Sequence, residues 1–273
     1  MKLAVAGKGG AGKTTFSATA SRLLARSGRD VIAIDADTNP NLHAAMGVSH
    51  EAIQAVPFPP TSLVSRSFDG PMLNEPLADV LDQHTLVAPD GVRLLRMGMP
   101  EHADEGCLCS AHAVVSALLG DLDALPETVT LIDMEASPEH LSRGTAREAN
   151  ALVLVAEPYF RSLEAVKLQA KLAAETAIGR VVVVANKCRS DNDFAAISEF
   201  CDNYDLDLIA RIPWGDEVLD ADAATTPLLD FAPDSPVIEA VQRVCDILVP
   251  NVSNPDVVSP TDPTPSPKTE QAR

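Results

Sequence analysis

The sequence predicts an α/β fold, a single domain built on a mostly parallel sheet of about seven strands with helices on both faces. Three observations predict it. Short apolar, β-branched runs alternate with helix-patterned segments from the first residues to about residue 248. The runs are apolar at nearly every position, as strands covered on both faces must be. A glycine-rich turn of the pattern G-x-x-x-x-G-K-[ST] joins the first run to the first helix.

Taken in order, the strand-forming runs are Lys2–Ala6, Val31–Asp35, Val92–Met97, Val129–Asp133, Ala151–Ala156, Val181–Asn186 and Leu206–Ile212. Helical patterns fill the intervals near Lys13–Ser27, Asn41–Met46, Leu77–His84, Ala111–Leu118, Glu139–Ala149, Ser162–Thr176, Phe194–Tyr204 and Val237–Leu248. Gly28 and Gly179 are expected as helix stops. Ala55–Pro76 is rich in Pro and Ser and is expected to be an irregular surface excursion. Residues 1–249 form the expected domain. Residues 250–273 are dominated by Pro, Ser, Thr and charges, bury too little apolar area to order themselves, and are expected to be a disordered tail.

Composition narrows the function classes. Aromatic residues make up only 4% of the chain, so the core must come from Ala, Val, Leu and Ile. A net charge of −18 argues against a broad basic surface for nucleic acid or anionic lipid. No apolar run reaches the ~18 residues of a membrane span. Met1 leads directly into the first strand, so a cytoplasmic location with five reduced cysteines is expected.

The chemistry-bearing positions lie at the carboxyl ends of the strands, where ligands of such sheets bind. In Gly7–Thr15 the backbone around Gly9, Gly10, Ala11 and Gly12 can wrap anionic oxygens. The helix start adds its positive end. Lys13 should reach the β- and γ-phosphates of ATP, the Thr14 hydroxyl should bind Mg²⁺, and Thr15 is placed for the α-phosphate. Lys8 sits on the outer part of the loop, where it is either a solvated surface lysine or an arm directed elsewhere.

Asp35 and Asp37 follow the second strand. Asp37 is the candidate to orient the attacking water and Asp35 to support the Mg²⁺ shell or Lys13, unless both only cap the next helix. Asp133, ending another apolar strand, is expected to hold a water on Mg²⁺ or the Thr14 hydroxyl. Asn186-Lys187-Cys188-Arg189 resembles the guanine-reading NKxD pattern but carries Arg at its fourth position. Asn186 is then either an adenine-edge reader or a structural amide on the glycine-rich loop, and Pro213 with Trp214 could wall the adenine. Cys107 and Cys109, two apart before a helix, are either a soft bidentate thiolate pair or two buried or redox cysteines. One pair supplies two ligands where stable thiolate sites take four, and a two-fold dimer would complete the set. His102, His112 and His140 carry no assignment, and Cys188, Cys201 and Cys245 fit the core.

A lysine at the position of Lys8 is similar to the mark of the deviant Walker A group, which includes MinD, the ParA partition ATPases and the nitrogenase iron protein. Within that group the chain resembles the CooC family of nickel-insertion ATPases over residues 1 to about 248. The resemblance is carried by Met97-Gly98-Met99-Pro100, Gly106-Cys107-Leu108-Cys109, Asp133-Met134-Glu135-Ala136, Glu139-His140-Leu141, Arg143-Gly144-Thr145, Asn186-Lys187 and Ile212-Pro213. It implies an ATPase whose nucleotide drives dimerisation, with Lys8 crossing to the partner's phosphates. It also implies that the Cys pair binds Ni²⁺ or Zn²⁺ at the dimer interface for a client such as carbon monoxide dehydrogenase. Ser137 stands where the family has glycine beside the γ-phosphate. The alternative is a MinD- or ParA-like positioning or regulatory ATPase without a metal role.

Overall fold

Lys2–Gly7 (β1), buried at every position, occupies the middle of the sheet, and the other elements are arranged around it. The computed structural model describes residues 1–67, 70–98, 109–135 and 148–250. The helical pattern at Glu139–Ala149 falls mostly, and the tail beyond Pro250 wholly, outside them.

Chain order runs β1, then α1 (Lys13–Arg26), β2 (Asp30–Ala36), α2 (Leu42–Met46) and α3 (His50–Gln54). A hairpin of β3 (Val64–Ser67) and β4 (Gly70–Leu73) follows, then α4 (Leu77–His84), β5 (Thr85–Val87), β6 (Arg93–Arg96), α5 (Cys109–Asp121) and β7 (Thr128–Met134). The chain continues through β8 (Ala151–Ala156), α6 (Phe160–Ala173), β9 (Arg180–Cys188), α7 (Asp191–Asn203) and β10 (Asp207–Pro213). It closes with α8 (Asp216–Ala223), α9 (Leu228–Phe231) and α10 (Pro236–Leu248).

The main sheet has the order β10-β9-β8-β1-β7-β2-β6-β5, parallel throughout except for β5. Apolar residues leave both faces of each inner strand. Leu3, Val5, Val31, Ala33, Leu131, Val153 and Val184 pack with Phe16 and Leu24 of α1 and Val241 and Val244 of α10. Ala4, Ile32, Ile34, Ile132, Leu152 and Val183 pack with Val115 and Leu118 of α5, Val166 of α6 and Ile197 of α7. This two-sided burial is why the strands read as continuous apolar runs. Trimming one such side chain, as in Ile34→Ala, costs about 2–5 kcal/mol in a well-packed core.

Gly28 ends α1 as expected. At φ +89 it donates to Ala25 O while Arg29 donates to Leu24 O, the paired bonds of a left-handed helix stop. Among the described residues the main sheet has eight strands, the expected seven and three-residue β5, an antiparallel edge too short to carry a pattern. Two expectations need correction. The segment Ala55–Pro76 is not wholly irregular: it holds the β3–β4 hairpin, with Val64 paired to Leu73. Gly179 is not a helix stop, since α6 already ends at Ala173. Its lack of a side chain instead serves a close approach, because a Cβ there would lie 2.8 Å from Asn150 O.

Candidate nucleotide-binding site

The loop between β1 and α1 can exist only with glycine at its turning points. Gly7 has φ +145, and a Cβ on it would lie 2.5 Å from Val155 O of β8. Gly12, at φ +95, precedes α1 with no side-chain cap. Phe16 N–H donates to Gly12 O at 2.9 Å, so intrahelical bonding begins there. The N–H groups from Gly12 to Thr15 are therefore the free donors of the helix start, beside the helix's positive end.

These groups border a cavity of about 770 Å³. It is lined by Gly9, Gly10, Gly12, Lys13, Thr14 and Thr15 of the loop and helix start, by Asp37 and Glu135, and by Asn186, Pro213 and Trp214. Ala11 is fully buried and does not line it. Lys8 also lies off the cavity, with its ammonium 5.7 Å from the centre of the Tyr159 ring.

Asp133 is the penultimate residue of β7, paired in register with Val5 of β1, which places its carboxylate beneath the loop. It accepts hydrogen bonds from the Ser17 hydroxyl at 3.0 Å and from the Thr14 hydroxyl. Burial pushes its pKa up to about 6, against the opposing pull of Thr14, Ser17 and the Lys13 charge. A hydroxyl and a carboxylate beside a phosphate-sized anion cradle form an all-oxygen donor set, which fits Mg²⁺. Among the described residues no cluster of three or more His, Cys, Asp or Glu is placed to hold a metal.

The two carboxylates after β2 separate in role. Asp35 is 1% exposed, and its oxygens accept from Leu42 N–H at 2.9 Å and Asp37 N–H at 3.3 Å. It makes the contacts of a cap on α2 and shapes the turn, the capping member of its two expected readings, and it does not line the cavity. Asp37 accepts from Asn39 N–H at 2.8 Å and remains on the cavity wall.

Asn186 makes the contacts of its structural reading while also lining the cavity. Its Nδ2 donates to Ala11 O at 2.7 Å and its Oδ1 accepts from Lys187 N–H at 2.9 Å, so the amide braces the loop from β9. Lys187, which carried no role in the sequence reading, stands at φ +58 and donates from Nζ to Gly10 O. Its charge pairs with Glu157 Oε1 at 3.0 Å. The other Glu157 oxygen accepts from the Tyr159 hydroxyl, which raises the tyrosine pKa to about 12. The Asn-Lys dipeptide was the available signal for Lys187, whereas Glu157 and Tyr159 had none. Arg189, the residue that breaks the guanine-reading pattern, stacks its guanidinium 3.8 Å over the Trp214 ring.

Cys107 lies outside the described residues, as do His102, His140 and Ser137, and Cys109 is the first residue of α5. Cys188, Cys201 and Cys245 are buried, with burial raising each thiol pKa. No helix among the described residues is long and apolar enough to cross a membrane.

Comparison with known proteins agrees with this geometry. A family model described as CobQ/CobB/MinD/ParA nucleotide binding domain matches residues 2–228. The carbon monoxide dehydrogenase accessory protein CooC of Rhodospirillum rubrum is 36% identical over 85% of this chain and 91% of its own. An uncharacterized ATP-binding protein of Methanocaldococcus jannaschii is 28% identical over 91% of this chain and 98% of its own. Among solved structures, the septum site-determining protein MinD of Pyrococcus horikoshii, complexed with Mg-ADP, superposes with a TM-score of 0.68 at 20% identity. It covers 92% of this chain and 97% of that one. Cobyrinic acid a,c-diamide synthase of Mycobacterium smegmatis, with bound ADP and magnesium, gives 0.64 at 19% identity, covering 90% and 93%. The chain belongs to the CobQ/CobB/MinD/ParA family of P-loop nucleotide-binding proteins, in its CooC branch.

Proposed function

We propose that the chain is an ATP-dependent metallochaperone that dimerises on ATP, hydrolyses it to ADP and phosphate, and delivers nickel to a carbon monoxide dehydrogenase-like client. The observation that carries the nucleotide half is the Thr14–Asp133–Ser17 hydrogen-bonded set beneath the glycine loop, with Thr14 and Asp37 both lining the cavity. The relative named as a carbon monoxide dehydrogenase accessory protein supports the client half.

ATP lies in the cavity with its phosphates over the N–H groups of Gly12 to Thr15, and Lys13 neutralises the β- and γ-oxygens. Thr14 and Asp133 would hold Mg²⁺, which would supply positive charge against the triphosphate. Asp37 orients a water in line with the γ-phosphorus. The water oxygen bonds to the γ-phosphorus, its proton passes to an oxygen of the released phosphate, and ADP leaves with the electron pair of the broken P–O bond. Pro213 and Trp214 flank the base. Lys8 is the arm that serves the second copy's phosphates. The cargo ion, Ni²⁺ or Zn²⁺, takes thiolates of Cys107 and Cys109 from each of two copies. The ATPase domain is residues 1–249, and the setting is cytoplasmic, without nucleic acid or membrane as a partner.

Nucleotide and metal then share one equilibrium: whatever factor ATP changes nickel affinity by, nickel changes ATP affinity by the same factor. Nickel titrations in saturating ATP analogue and in ADP test this. The reading predicts at least a fivefold difference in affinity and its loss in Cys107→Ala/Cys109→Ala. Equal affinities in the two nucleotides would sink it.

A further inference from the structure

Two successive carbonyls of the glycine loop are gripped by two successive side chains of β9. Ala11 O accepts from Asn186 Nδ2 and Gly10 O from Lys187 Nζ. A trans peptide points its N–H opposite its C=O. Holding Ala11 O against β9 therefore turns Gly12 N–H the other way. Holding Gly10 O fixes the Gly10–Ala11 plane, whose N–H closes the loop onto Lys8 O at 3.1 Å. Lys187 does this from a left-handed backbone conformation that lysine seldom adopts. An ammonium placed there needs a partner, and Glu157 provides it. Glu157 is 6% exposed, follows β8, and is linked to Tyr159, the residue beneath the Lys8 ammonium. The sheet order β9-β8-β1 brings the three strand ends side by side.

We infer that Glu157 is a positioning residue for phosphate binding, acting through Lys187 on the Gly10 carbonyl to set the loop's peptide planes. The inference rests on the nucleotide half of the function proposed above and not on its metal half.

The experiment is displacement of a fluorescent ATP analogue from full-length protein by ATP and by adenosine, with thermal melts alongside. Glu157→Gln keeps the shape and removes the charge. It should weaken ATP about three- to tenfold and leave adenosine unchanged, since only the phosphates meet the loop. Lys187→Met should weaken ATP at least as much, and the double variant should be no worse than Lys187→Met alone. A merely structural role would lower the melting temperature and weaken both ligands alike. ATP affinity in Glu157→Gln within twofold of wild type, equal losses for ATP and adenosine, or additive losses in the double variant would each overturn the inference. Wild-type protein that binds no ATP would overturn the nucleotide reading and this inference together.

Discussion

Asp35 and Asp133 stand side by side in register on the adjacent parallel strands β2 and β7, each only 1% exposed. Burial raises both pKa values, and the charge of Asp133 raises that of Asp35 further, to about 7. A carboxyl raised from its unfolded value of about 3.9 binds more protons in the native state between the two pKa values. Stability must therefore fall as pH rises from about 4 to about 7 and level off above that. For Asp35 this amounts to about 1 kcal/mol between pH 6 and pH 8. Nucleotide-free protein is expected to melt higher at pH 6 than at pH 8, and Asp35→Asn should flatten most of that difference. An unchanged pH slope in the variant would place the titration elsewhere.

Gly12 meets two constraints at once. Its φ of +95 strains any L side chain, and a Cβ would lie 2.5 Å from Asn186 Nδ2, the atom that braces Ala11. Gly12→Ala is expected to lower ATP affinity by more than about tenfold, measured by calorimetry. Gly28→Ala serves as control. It shares the positive φ but has open space around its Cβ and lies off the cavity, so it should cost stability and leave affinity intact.

The Asp37 carboxylate borders the cavity, and its hydrogen bond from Asn39 N–H is local. Asp37→Ala should leave ATP binding within a few-fold of wild type while steady-state phosphate release falls by about a hundredfold or more. A parallel loss of binding and turnover would instead mark Asp37 as a ligand-binding group.

Much of this was legible in the chain itself, and the reasons are physical. Two-sided burial writes inner strands as unbroken apolar runs, so seven of the eight main-sheet strands could be read directly. The phosphate loop was equally plain because its glycines and its Lys13-Thr14 step are contiguous. Edge and peripheral pieces were not: β5 is three residues long, with Val87 72% exposed, and the β3–β4 hairpin has four residues per strand. Asp35 kept two readings because a cap and a metal supporter look alike in sequence, and only the folded chain shows Leu42 N–H bonded to it. The Glu157–Lys187 brace was invisible for a different reason. Its members lie 30 positions apart and Lys187 lies 177 from Gly10, so only the strand order joins them.

Lys8 is half-buried and held over Tyr159, off its own cavity. If it serves a second copy, Lys8→Ala should still bind ATP with near wild-type affinity yet lose ATP-dependent self-association and most hydrolysis. Tight binding with undiminished turnover in Lys8→Ala would show that each subunit works alone.

Sedimentation equilibrium with a slowly hydrolysed ATP analogue, Mg²⁺ and Ni²⁺ tests the central claim most directly. The account predicts a mass twice that of one chain, reverting to a single chain with ADP and no metal and in Lys8→Ala. A protein that sediments as one chain with every ligand present would contradict it.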